Sequence, residues 1–265
     1  MTITKTRGHL SGDGKRRLMS VRGEPLFFAE WEGAVFIHYE TDAAVLQGQV
    51  PFELDLRDGR AFVSLVAFTM RDLRPRIGGR LGAWLLKPIA THRFLNVRTY
   101  VGHRGEPGIY FLAEWLSNPV SVRLGPGTFG LPYRFGKLDY EHAHERGEWR
   151  GRVLAKAGQL SYRATLFAPD FSPSETGSLA EFLIERYTAF TRHGDARRYF
   201  RVWHEPWPCA PADIEIGADD LLASTGAWWR GARCVGADCS PGVSVWMGWP
   251  HRIRDSFYEN QTAPR

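Results

Sequence analysis

Strand-forming runs at short, regular intervals constrain this chain most. Stretches rich in Val, Phe, Tyr and Trp occupy 33–39, 61–68, 94–101, 108–116, 149–156, 160–167, 198–204 and 243–247. Gly and Pro bound them, the pattern of half-buried strands joined by turns. The runs 94–101 and 108–116 are joined by Gly102-His103-Arg104-Gly105-Glu106-Pro107, which predicts an antiparallel hairpin. Helical periodicity is scarce. It is clearest over 178–190, where Ser178 and Glu181 form a capping box and Leu179, Phe182, Leu183, Tyr187 and Phe190 follow helical spacing. A short helix is expected from Asp42 to before Pro51. After Asn118, Pro119 suits a first helical turn, while the following Val-Ser-Val suits a strand equally well. Many antiparallel strands with few segregated helices predict an α+β fold, a mostly antiparallel curled sheet or barrel.

Glycines and prolines are spread evenly, without repeat or linker, so 25–250 reads as one domain. Residues 1–24 read as a basic flexible tail, its first 22 residues holding Lys5, Arg7, Lys15, Arg16, Arg17 and Arg22 against Asp13 alone, and 251–265 as a polar C-terminal tail. The net charge of +5 comes mostly from arginines, but no nucleic-acid-binding signature accompanies it, and no nucleic-acid partner is expected. No apolar run approaches the ~18 residues of a membrane span, so no membrane partner is expected either. Three cysteines, Cys209, Cys234 and Cys239, argue against a disulfide framework and fit a reducing compartment; with no secretory signal, a cytoplasmic location is expected.

Phosphate loops, dinucleotide fingerprints and nucleophile elbows are absent, so no cofactor is expected. His142 and His144, within Glu141-His142-Ala143-His144-Glu145, share one strand face as metal ligands can, but the polar run before Gly147 reads better as a hairpin tip; no metal site is assigned. Alternation along 94–101 places Asn96, Arg98 and Tyr100 on one face and Leu95, Val97 and Val101 on the other. The apolar face is expected under a helix, and the polar face toward water or a cavity. Glu114, on the adjacent strand, is the expected partner of Arg98. His204, at a strand end, is a candidate acid or base, and Lys137 and Lys156 are the central lysines.

The order of short motifs carries a resemblance. Asp42…Leu46…Val50-Pro51…Leu54, then Asp58-Gly59-Arg60-Ala61, Asn96-Val97-Arg98-Thr99-Tyr100-Val101, Pro107-Gly108-Ile109-Tyr110-Phe111, Leu131-Pro132-Tyr133, Glu185-Arg186-Tyr187 and His204-Glu205-Pro206-Trp207 resemble the uncharacterised YqjF-like bacterial family across about residues 28–250. That family resembles a branch of the acetoacetate decarboxylase-like superfamily. The resemblance implies a cone-shaped, mostly antiparallel β-barrel with an internal cavity. Where the decarboxylases carry a lysine pair after the Leu-Pro step, this chain has Tyr133 and Arg134, and Lys137 is the nearest lysine. The superfamily's acidic catalytic residue aligns near Asn96 and its arginine near Glu32, so the imine mechanism is not carried over. The expected function is a small-molecule protein whose cavity binds an anionic or carbonyl-bearing ligand through Asn96, Arg98, Tyr100, Glu114 and Tyr133. Catalysis without a Schiff base would draw on Tyr133, Lys137 or His204, and the alternative is a non-catalytic binding or sensing domain.

Overall fold

The computed structural model describes residues 9–143 and 147–253. The first half of the chain folds as α1 (His9–Met19), β1 (Phe27–Thr41), α2 (Ala43–Gln47), β2 (Glu53–Leu54), β3 (Ala61–Pro75), α3 (Gly79–Leu86), β4 (His92–His103), β5 (Glu106–Leu116) and α4 (Pro119–Phe129). The second half follows as β6 (Tyr133–Phe135), β7 (Lys137–Ala143), β8 (Glu148–Ala155), β9 (Gly158–Leu166), β10 (Ser172–Pro173), α5 (Leu179–Ile184), β11 (Thr188–His193), β12 (Ala196–His204), β13 (Pro208–Ala218), α6 (Asp220–Ala223), β14 (Arg233–Met247) and β15 (His251–Arg252).

All eight expected strands are present, and β4 and β5 form the expected hairpin, from Phe94↔Leu116 to His103↔Glu106. The sheet is mixed: β6 and β11 both run parallel to β5. Its order is β15-β12-β11-β5-β4-β3-β1-β14-β13-β9-β8-β7. An additional pairing of β12 with β14, Val202↔Met247 to His204↔Val245, brings β1, β3, β4, β5, β11, β12 and β14 into a ring of seven. The ring strands are buried on both faces, so they read as dense apolar runs. One face carries Phe36, Phe62, Phe68, Phe94, Phe111 and Phe200 toward the ring interior. The other carries Val35, Leu65, Leu95, Val97 and Trp115 against Trp149, Val153 and Leu160 of the β8–β9 layer.

The helices follow their caps. The Asp42 side chain accepts from the Val45 N–H at 2.8 Å and starts α2. The Asn118 side chain accepts from Val120 and Ser121 N–H and starts α4, so the helical alternative holds after Asn118. The Ser178 hydroxyl oxygen accepts from the Glu181 N–H, opening α5 as the capping box predicts.

Three expectations change. The helix expected over 178–190 ends at Ile184, and β11 follows. Ala189 and Phe190 point into opposite cores, which is strand alternation; the apparent helical spacing of Tyr187 and Phe190 was coincidental. The β11 backbone passes so close to Gly108 that a Cβ there would lie 2.4 Å from the Thr188 carbonyl oxygen. The stretch read as a tail contains α1, whose Leu18 is fully buried with Tyr187 and Trp203. The Ser11 hydroxyl donates to the His204 carbonyl at 2.7 Å, the Trp203 indole N–H donates to the Ser11 carbonyl, and the Lys15 ammonium lies 4.1 Å from the Trp203 ring centre. Few residues anchor α1, which is why its polar sequence looked unfoldable. Of the expected C-terminal tail, 251–252 form β15 and pair with β12.

Candidate functional site

All seven ring strands contribute to the wall of a cavity of about 190 Å³, closed on one side by α4 and by the turn after α3. Its surface is mostly aromatic and aliphatic, including Trp31, Phe68, Phe111, Phe129 and Trp207. Set into it are His92, Asn96, Arg98, Glu114, Tyr133, Arg186 and His204. An apolar chamber with a few convergent polar groups is the usual form of a small-molecule site.

The polar row on β4 arises from unbroken alternation. His92, Phe94, Asn96 and Arg98 line the cavity, while Leu95, Val97 and Val101 pack into the opposite core. The helix α5 lies over the polar face rather than the apolar one: the Leu183 carbonyl accepts from Arg98 Nη2 at 3.1 Å and from the Tyr100 hydroxyl at 2.8 Å. The apolar face meets the β8–β9 layer instead.

Glu114 reaches the cavity by a different device. In β5, Ile109 and Phe111 face inward, so plain alternation would turn Ala113 inward and Glu114 out. The register shifts between Val97↔Ala113 and Arg98↔Phe111, leaving Leu112 as an extra residue. This β-bulge reverses the faces and aims Glu114 into the chamber. It also defeats the expected Arg98–Glu114 pair. Phe111 stands opposite Arg98, Glu114 stands opposite Asn96, and no ion pair joins the two among the described residues. Tyr133 enters beside Glu114 in the parallel pairing of β5 with β6. The backbone of Gly125 makes room for it, since a Cβ there would fall 2.1 Å from the Tyr133 ring.

Burial sets the protonation states. Glu114 is 2% exposed, and desolvation holds its carboxyl well above the usual range, which favours the protonated, neutral form. Tyr133 is likewise raised, by burial and then by the neighbouring Glu114. Burial lowers His92 and His204 to about 4, leaving both rings neutral. Glu185, behind the cavity wall, is raised to about 7 by burial, although the Tyr187 hydroxyl and the Trp207 N–H both donate to it. Arg98 is buried, with its guanidinium 5.7 Å from the Phe36 ring centre. Desolvation lowers its pKa, and an arginine nonetheless stays charged. Arg186 is matched by Asp55 at 2.6 Å; among the described residues Arg98 forms no ion pair, although the Glu185 charge acts on it.

Among the described residues, six buried side-chain polar atoms that lack a hydrogen-bond partner belong to residues of this one cavity. They are Trp31 Nε1, both His92 ring nitrogens, Asn96 Oδ1, Arg98 Nε and Glu114 Oε2. Each unsatisfied group costs about 1–3 kcal/mol, so their clustering marks a place where polar contacts are wanted.

The remaining expected site residues separate. Tyr100 is buried behind the wall, not in it. Its hydroxyl lies 2.5 Å from Ser64 Oγ, which is 2.6 Å from His38 Nδ1; His38 Nε2 lies 3.3 Å from Asp238. Tyr100 therefore does not line the cavity; it shares the Leu183 carbonyl with Arg98. Lys137 is exposed on β7 and lies outside the cavity, because alternation puts its neighbours Leu138 and Tyr140 into the core. Lys156 is exposed as well. His204 lines the cavity, but its Nδ1–H donates to the Glu205 carbonyl at 2.7 Å, which favours a fixed structural ring over an acid or base. Arg134 points away from the cavity, over the Trp115 ring. His142 is committed to the Gly33 carbonyl and the Tyr162 hydroxyl, and His144 lies outside the described residues. Arg186, His92 and Trp207 are cavity residues that strand alternation did not single out; Arg186 follows directly on α5, where a helix had been expected to continue.

Comparison with known proteins agrees with the architecture. The chain is 30% identical over 202 residues to the uncharacterized protein YqjF of Bacillus subtilis, covering 74% of this chain and 80% of that one. Its fold matches an acetoacetate decarboxylase of Legionella pneumophila with a TM-score of 0.60 at 12% identity, across 97% of this chain and 99% of that one. It matches an acetoacetate decarboxylase-like enzyme of Sphingomonas wittichii with a TM-score of 0.60 at 12% identity, across 87% and 94%. The enduracididine biosynthesis enzyme MppR, complexed with pyruvate, matches with a TM-score of 0.58 at 13% identity, across 90% and 94%. The family of uncharacterized conserved proteins called DUF2071 matches residues 28–238, and the chain belongs to that family, on an acetoacetate decarboxylase-like fold.

Proposed function

We propose that the protein binds a small organic ligand with an apolar body and an anionic or carbonyl-bearing head, within a seven-strand ring that corresponds to the conical barrel of the decarboxylase-like enzymes. The cluster of unpartnered buried polar atoms around one apolar cavity carries this reading. Arg98 supplies a charged donor for a carboxylate, and Asn96 accepts or donates beside it. Glu114, being a neutral acid, donates to a carbonyl oxygen, a role a carboxylate cannot fill. Tyr133 stands beside Glu114 as a second donor.

Chemistry at this site proceeds without an imine, because no described lysine lines the cavity. Tyr133 faces the chamber where the resembled decarboxylases carry lysine. The reactions open to Glu114, Tyr133 and Arg98 are proton transfers to and from a carbonyl compound, such as enolisation, hydration or electrostatically assisted decarboxylation. A non-catalytic binding domain uses the same contacts.

Pyruvate and acetoacetate are suitable probes. Calorimetric titration should show binding of at least one, weakened by Arg98→Ala, with no lysine adduct trapped by borohydride. A stoichiometric adduct on Lys137 would overturn the imine-free chemistry. Binding unchanged in Arg98→Ala would overturn the assignment of the anion site.

A further inference from the structure

The helices that wall the cavity carry an unusual outer face. On α3, Leu81, Trp84 and Leu85 are 67%, 66% and 62% exposed, and Ile77 just before it is 74% exposed. Their spacing puts them on one side of the helix, opposite Leu86, which lines the cavity with Ile89 beyond it. On α4, Val120 is also exposed, while Leu124, one turn on, is half-exposed and lines the cavity mouth. The Asn118 side-chain amide donates to the Pro88 carbonyl at 2.6 Å and ties the two stripes together. Five large apolar side chains, Ile77, Leu81, Trp84, Leu85 and Val120, are thus exposed on two segments joined by this bond, more than scattered surface residues require.

The charge around them is one-sided. Arg76, Arg80, Lys87 and Arg123 are exposed on the same two segments and make no ion pair with a described residue, whereas Arg71 and Arg74 are matched by Glu32 and Glu30. Asp72 is the single acid between 71 and 87. A second copy of this chain docking two-fold would set this basic rim against itself. Trp and Leu on the outer side of a short helix, ringed by Arg and Lys, are the composition of a helix lying in a lipid headgroup region.

We propose that the α3–α4 face docks on an anionic membrane surface, with Leu81, Trp84 and Leu85 inserted among the acyl chain ends and Arg76, Arg80, Lys87 and Arg123 against lipid phosphates. The sequence expectation of no membrane partner rests on the lack of an apolar span, and among the described residues no helix is long and apolar enough to cross; surface docking needs none. The contact would place cavity-lining helices at the bilayer, where a lipophilic ligand resides. This inference goes beyond the cavity's own function and stands without it.

The test is co-sedimentation of the full chain with vesicles of equal parts phosphatidylcholine and phosphatidylglycerol, and with phosphatidylcholine alone. Binding to the anionic vesicles at low salt, weakened by added salt, is expected. Trp84→Glu with Leu85→Glu should abolish it, and Arg76→Gln with Arg80→Gln should weaken it roughly thirtyfold, with circular dichroism confirming that each variant is folded. No binding at low salt, or binding unchanged in folded variants, overturns the proposal. So does a concentration-dependent dimer that Trp84→Glu with Leu85→Glu dissolves, which would make the face a self-association surface.

Discussion

Replacing Glu114 by glutamine tests the protonation state on which the cavity chemistry depends. Glu114 is 2% exposed and burial raises its pKa well above the usual range. In the unfolded chain a glutamate ionises near pH ~4.3. At lower pH both states hold the proton and Glu114 has no effect on stability. As pH rises past that value, the unfolded chain releases the proton and the folded protein keeps it. The wild type therefore loses about 1.4 kcal/mol relative to the glutamine variant for each pH unit, until the folded carboxyl ionises. Glutamine has nearly the same shape and does not titrate, so it removes this loss. For a chain of this size each kcal/mol moves the melting temperature by about 2–4 °C. Melting curves of both proteins at intervals from about pH 5 to 8, spanning the window the raised pKa creates, should diverge steadily, with the variant gaining on the wild type. Parallel curves would show that Glu114 is ionised in the folded state and could not donate to a carbonyl.

Other expectations follow from the packing. Gly125→Ala pushes a methyl into the Tyr133 ring, 2.1 Å away; overpacking should cost about 1–3 kcal/mol and weaken ligand binding, read by chemical denaturation and calorimetric titration. Leu18→Ala should cost about 2–5 kcal/mol because Leu18 is fully buried; a change within experimental error in urea unfolding would return α1 to the status of a tail. Acidification from about pH 6.5 down to about 4 should destabilise the wild type relative to its non-titrating His92→Asn and His204→Asn variants. The unfolded chain takes up protons in that window, while buried His92 and His204 stay neutral to about 4. Each contributes a loss of about 3 kcal/mol, read as the difference in urea midpoint between the wild type and the matching variant, because buried Glu114 and Glu185 gain stability as pH falls through the same window; a difference independent of pH would contradict the burial of that ring.

The strands were legible because bulky β-branched and aromatic residues between Gly and Pro have few other uses. The inner row of β4 was legible because its alternation is unbroken. The side Glu114 takes relative to Phe111 was not, since it depends on Leu112 being extra, and a bulge leaves no mark in the period of a single strand. Its expected pairing with Arg98 failed for the same reason. Tyr187 and Phe190 fell into the helical spacing of 178–190, but a parallel partner on β5 made Thr188–His193 a strand, a tertiary effect that local pattern does not contain. The Tyr133-Arg134 pair in place of lysines was legible through the family resemblance. That Tyr133 turns inward and Arg134 outward follows from β6 pairing with β5.

The central claim is that the cavity holds an organic ligand by its anionic or carbonyl head at Arg98. The most direct measurement is mass spectrometry of small molecules released on denaturing wild-type and Arg98→Ala protein purified in parallel, with the melting temperature recorded for each. The account predicts a carboxylate- or carbonyl-bearing compound released from the wild type and missing from a folded Arg98→Ala. A folded Arg98→Ala that releases the same compound in the same amount would contradict it and leave Arg98 a purely architectural residue.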